Sequence, residues 1–176
     1  MSKFRTIFIT IFQGVEAKNI LRTDIFKELI SHADIRIVFF VRTREKEDFY
    51  QKQFGHPRVF YEVVSRIDQG FWQCFFGSLK FKLINTATID WRRRLAFEVH
   101  KSQIRFWVGW LLNRLLAHRF VRKICRSLDM LLVKDSTFAV FFDKYRPASV
   151  ISAHPFDDIE ASLLKEAKRR KVKTFG

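Results

Sequence analysis

The segment Asp34–Val41 constrains this chain more than any other, because Ile35, Ile37, Val38, Phe39, Phe40 and Val41 form a nearly unbroken apolar run. A strand with one wet face alternates apolar and polar residues. A run without alternation marks a strand covered on both faces, as in a parallel sheet packed between helices. Lys3–Phe12, with Phe4, Ile7, Ile9 and Ile11, reads as a second buried strand, and Arg58–Val64 as a third. Gln13–Lys18 reads as a loop carrying Gly14. Asn19–Ser31 then places Leu21, Ile25, Leu29 and Ile30 at helical spacing, with Asn19 or Thr23 as cap. Thr43–Phe54 reads as a short charged helix. Strand and helix alternate, which predicts an α/β domain of Rossmann-like, doubly wound type with a mostly parallel sheet.

The pattern pauses and resumes. Thr137–Tyr145 reads as a helix ended by Pro147, Ala148–Ala153 as a strand, Asp157–Arg170 as an amphipathic helix and Val172–Phe175 as a further strand. Between the halves, residues of about 70–132 read as an insertion of two or three helices rich in Trp, Phe and Arg. The 176 residues suit one domain with this insertion. Because the chain stops directly after a strand, where this architecture leads into another helix, a further C-terminal domain is expected beyond it.

Cys74 and Cys125 show neither CxxC nor metal-ligand spacing and read as reduced thiols of a cytoplasmic protein. The N-terminus lacks the small-residue cleavage site of a signal peptide. The longest apolar stretches, Phe71–Ile84 and Phe106–Ala117, are interrupted by Lys80, Lys82 and Arg114, so neither reads as a transmembrane helix.

A net charge of +15 is unevenly spread: Asn85–Leu128 carries +8 and Lys165–Lys173 carries +5. Concentrated positive charge implies a polyanionic partner, either anionic lipid or nucleic acid.

In open α/β sheets ligands bind at the carboxyl ends of the strands. That rule selects Gln13-Gly14, Arg42-Thr43, Ser65-Arg66 and Ala153-His154. The first turn, with a single glycine, is neither a dinucleotide fingerprint nor a phosphate loop. Lys18, Asn19 and Arg22 read either as a cap and two solvated cations or as groups meeting an anionic or hydroxyl-rich ligand. Asp157 and Glu160 fit a capping box, which already fills the positive end of that helix and disfavours a phosphate. A neutral sugar hydroxyl would be tolerated beside them. His154 reads either as a general base for it or as an ordinary loop histidine.

Within the insertion, Trp107 and Trp110 stand among leucines, while Arg119, Arg122, Lys123 and Arg126 share one helical face. This composition suits an interfacial helix on an anionic membrane. A core helix beneath a solvated basic face is the alternative. Nucleic acid is the weakest reading, since no helix-turn-helix, zinc-ligand, RRM or KH signature accompanies the charge.

Three stretches carry a resemblance. The opening strand Thr6–Phe12 leads to Gly14 and then to Asn19-x-x-Arg22-Thr23-Asp24-x-Phe26-x-x-Leu29. Phe142–Gly176 runs acidic–Lys–Tyr–Arg–Pro, apolar strand, polar loop, then a helix ending in Ala-Lys-Arg-Arg, and a strand. The basic aromatic insertion is the third. Together they resemble the N-terminal domain of GT-B-type glycosyltransferases of the UDP-glycosyltransferase/glycogen phosphorylase superfamily, as found in surface-polysaccharide synthesis. Lys171 stands where that pattern usually has Gly, and Ala148 where it usually has Asp.

The resemblance implies an acceptor-side domain, peripheral to the inner face of the membrane, that meets a sugar or lipid-linked acceptor. His154 would be the base, with Gln13, Gly14, Asn19, Arg22 and Asp157 lining the cleft and the insertion as membrane dock. The nucleotide-sugar donor would sit on the second domain, leaving this half without a cofactor or metal of its own and inactive alone. The alternatives are a non-catalytic basic α/β adaptor for anionic membrane or nucleic acid, and a sugar-nucleotide epimerase-like domain.

Overall fold

The continuous apolar run is a central strand. In the computed structural model, which describes residues 4–66, 70–79, 82–133, 135–155 and 157–176, it forms β2, Ile35–Val41. Beside it lie β1 (Arg5–Thr10) and β3 (Val59–Val63), and β4 (Ser149–Ile151) and β5 (Lys173–Phe175) complete the sheet. All neighbours pair in parallel, in the order β3-β2-β1-β4-β5. This is a Rossmann-like, doubly wound α/β fold.

The two-sided burial read from the sequence divides residue by residue. Ile37, Phe39 and Val41 point into one core with Ile9, Ile11 and Tyr61, while Val38 and Phe40 point into the other with Phe8 and Val150. The first core is covered by α1 (Gly14–Leu21), α2 (Asp24–Ser31) and α3 (Arg44–Phe54), through Ala17, Leu21, Phe26 and Tyr50. The second is covered by α8 (Ala139–Tyr145) and α9 (Asp158–Arg169), through Phe142, Ile159, Leu163 and Ala167. Phenylalanines interlock edge to face: the Phe8 ring stands 5.0 Å from Phe40 and 5.2 Å from Phe142, and Phe40 stands 5.3 Å from Phe138. Such pairs add about 0.5–1.5 kcal/mol each beyond their burial.

These elements form one unit, Met1–Asp68 with Asp135–Gly176; Gln69–Lys134 forms another. The second contains α4 (Phe71–Leu79), α5 (Ala87–His100), α6 (Gln103–Leu116) and α7 (Arg119–Leu132), with α5 packed on α6 and α4 on α7. Among the described residues four helices therefore stand where two or three were expected. Two of the three boundaries are Thr86 and Ser102, whose hydroxyls accept from the amides of Ile89 and Arg105 and start new helices, and the third lies at Ala117-His118, between α6 and α7.

The first βα turn also differs from expectation. Gln13–Lys18 is not a loop, because α1 begins at Gly14, and Glu16 Oε2 accepts the Gln13 amide at 2.9 Å. The helix then breaks at Arg22-Thr23. Thr23 Oγ1 donates back to the Asn19 carbonyl at 2.7 Å, so Asn19 is a residue of α1 and caps nothing. Three non-glycine residues at or just past helix ends, Lys101, Arg146 and Lys171, take left-handed φ values of 47°, 47° and 57°.

Replacing Phe40, fully buried, with alanine should cost about 3–5 kcal/mol in urea denaturation. The same change at the exposed Phe49 of α3 should cost less than about 1 kcal/mol.

Candidate functional site

Parallel strands bring all their carboxyl ends to one edge, and the order of this sheet reverses between β1 and β4. At that switch the buried Thr10 accepts the Ala153 amide on its Oγ1 at 3.0 Å, tying the two strand ends together. Arg42, leaving β2, reaches Asp157 before α9, with Nη2 to Oδ2 at 2.5 Å. Its guanidinium lies 5.0 Å from the Phe12 ring centre, and Lys46 Nζ donates to the Phe12 carbonyl at 3.0 Å.

Asp157 therefore does two things. Its Oδ1 accepts the Ile159 amide at 2.9 Å as a helix cap, and its other oxygen pairs Arg42. The capping box predicted with Glu160 does not form. Glu160 is fully buried, and its Oε2 accepts from Ser152 Oγ at 2.5 Å and the His154 amide at 2.9 Å. A glutamate three residues after a cap fits either role, and here the loop below claims it. Its Oε1 has no hydrogen-bond partner. Glu160 thus fixes the backbone that carries His154, while His154 itself is exposed at the edge.

Gln13 and Gly14 also lie at this edge, directly after β1. Asn19 and Arg22 do not join them: both are exposed, and they lie toward the far end of α1, about 8 and 12 Å of helix away. Thr10 and Lys46 were missed, and Glu160 was given a different role. A residue directly after a buried strand must emerge at the edge, and that rule pointed to Arg42 without revealing its mate.

Three described helices that begin at this edge, α1, α3 and α9, carry carboxylates in their first turn or cap: Glu16, then Glu45 and Glu47, then Asp157, Asp158 and Glu160. Those charges already occupy the positive helix ends where a phosphate would bind. The edge suits a neutral, hydroxyl-bearing ligand better. Among the described residues no group of three or more His, Cys, Asp or Glu is placed to hold a metal ion.

The helical unit has a different chemistry. Among its described residues only Asn113 and Val133 are buried. On α6, Ile104, Trp107, Val108, Leu111 and Leu115 fall within about 100° of arc and face outward, Ile104 78 % and Trp107 60 % exposed. The opposite side of α6 packs on α5 through Phe106 against Phe97, while Trp110 lies under the Arg114 guanidinium at 4.7 Å. On α7, exposed Phe120, Ile124, Leu128 and Leu131 form a second stripe. Arg119, Arg122, Lys123 and Arg126, all exposed, occupy the other side of that helix. Asn113 donates both amide hydrogens, to the Lys82 and Ile84 carbonyls at 2.9 and 2.8 Å, and so pins the 82–84 segment. No described helix is long and apolar enough to cross a membrane.

Fold and sites together define a Rossmann-like α/β domain with an acid-capped sheet edge and a helical unit whose apolar residues face outward. No family model, curated protein or solved structure matches the chain.

Asp157→Ala removes a cap and an ion pair together and should lower stability by about 1–2 kcal/mol in urea denaturation. Asp157→Asn keeps a capping oxygen and should lose less. A double-mutant cycle with Arg42→Ala should recover the share that belongs to the pair.

Proposed function

We propose that this chain is the acceptor-side domain of a membrane-associated glycosyltransferase, lying on an anionic membrane through its helical unit. The observation that carries this reading is the outward apolar stripe of α6, with cations at hand. In water such a stripe is a standing cost of about 25 cal/mol per Å². An interfacial position removes that cost, and anionic lipid adds about 1 kcal/mol for each Lys or Arg near the surface.

Chemistry belongs to the sheet edge. His154, on a turn anchored by Glu160, is the base that takes the proton from an acceptor hydroxyl. The hydroxyl oxygen bonds to the anomeric carbon of the donor sugar, and a nucleoside diphosphate leaves. The diphosphate is held outside this edge, since the helix ends here already carry carboxylates. The resemblance of Asn19–Leu29 and Phe142–Gly176 to GT-B N-terminal domains supports the same assignment.

A second reading, a non-catalytic basic adaptor, draws on Arg42 and Asp157 occupying one another at the switch point. Two measurements separate these. Co-sedimentation with phosphatidylglycerol vesicles should be strong at low salt and absent with phosphatidylcholine. Replacing Arg119, Arg122, Lys123 and Arg126 with Gln together should weaken it more than about a hundredfold. In the protein that carries this domain, His154→Ala should lower sugar transfer from a nucleotide donor by about 10²–10⁴. Transfer unchanged in that variant removes His154 as base. Vesicle binding without any transfer leaves the adaptor.

A further inference from the structure

A pocket of about 260 Å³ opens between α5 and α6, lined by Asp90, Arg93, Arg94, Phe106, Trp107 and Trp110. Its guanidinium wall is already in place. Arg93 Nη1 donates to Asp90 Oδ1 at 2.9 Å, and the Arg93 side chain is only 14 % exposed. The chain reaches this position across Gly109, where a Cβ would stand 3.8 Å from the Arg93 Nε. Arg94 makes no ion pair among the described residues. Two guanidiniums and one carboxylate leave the lining at net +1, and Arg93 keeps further N–H donors free of Asp90.

Position adds to charge. Trp107 belongs both to this pocket and to the outward stripe of α6. The pocket therefore opens where the apolar stripe gives way to polar surface. For a domain docked through that stripe, this border is the depth of lipid headgroups, where indole rings concentrate. Resting on the docking reading above, we propose that the pocket holds the headgroup of one anionic phospholipid of the phosphatidylglycerol kind. The single negative charge of its phosphodiester matches the net +1 of the lining. Arg93 and Arg94 pair the phosphate oxygens, and Trp107 and Trp110 wall the headgroup. Docking is then selective for a headgroup as well as for charge density.

The test titrates the full chain with dihexanoylphosphatidylglycerol below its micelle concentration, following tryptophan emission. The expected result is a saturable change at one lipid per chain, weakened at least tenfold by Arg94→Gln and further by Arg93→Gln with Arg94→Gln. Circular dichroism reports whether each variant is folded. Arg94 is exposed, so that variant stays informative if the double change unfolds the unit. Equal response to dihexanoylphosphatidylcholine overturns the proposal. So does equal response to inorganic phosphate, which would make the ligand a free anion, and so does undiminished binding by Arg94→Gln. Sedimentation with anionic vesicles but no saturable titration overturns the pocket and leaves docking intact. Loss of vesicle binding in the native chain removes both.

Discussion

Two-sided burial of β2 is the constraint from which the rest of the first unit follows. A strand buried without a break from Ile37 to Val41 needs a neighbouring strand at each edge and helices on both faces, because its backbone and side chains have no other partners. Parallel pairing then forces each connection to cross back over the sheet, and the crossing helices supply the cover. One group of helices lies over Phe39 and Tyr61, the other over Phe8 and Phe40. The same parallelism sends β1, β2 and β4 out at a single edge. The proximity of Arg42, Asp157 and His154 is thus a by-product of core burial, and their local turns only refine it.

The helical unit obeys no such constraint. Its helices satisfy their own backbones and pair two by two, but almost nothing in it reaches the interior of anything. Besides Val133 the exception is Asn113, a buried amide that spends both hydrogens on one loop. A group of that kind contributes about 1 kcal/mol per bond and costs more if left unmatched. It fixes geometry where apolar packing is thin. The contrast between the units is one of solvent: the first is organised against water from within, the second presents its apolar side outward.

What the sequence disclosed follows the range over which each signal acts. A nearly continuous apolar run showed β2, since burial on both faces leaves little room for polar residues, while β1 and β4 were legible from shorter groups of apolar residues in which Thr6, Thr10 and Ser149 also stand. The periodicity of Asp157–Arg170 showed α9, because only one side of that helix is buried. Helix ends were less legible. Glu16, Thr86 and Ser102 start helices through hydrogen bonds to nearby amides, and such bonds leave a faint trace beside an apolar run. Glu160 was misread because a reciprocal cap and a buried loop anchor share one spacing. The Arg42–Asp157 pair was invisible, its partners being 115 positions apart and joined only by sheet topology. The crowding of carboxylates at one edge was likewise hidden until three separate helix starts were brought together.

Lys101, Arg146 and Lys171 stand in left-handed conformations where a glycine would be relaxed. An L side chain there costs about 1 kcal/mol or more, against which a cation at the negative pole of a helix returns a fraction. The chain bears this strain in both units, well beyond the stripes that would touch a bilayer. A field of one sign spread over a whole particle acts before contact, across a Debye length of about 8–10 Å. It raises the frequency of encounter with a polyanion and turns the molecule during approach. Positive charge held at strained helix ends adds to that field, so that on the membrane reading it would quicken the approach to an anionic surface, and rising ionic strength would slow that approach before it weakened any contact.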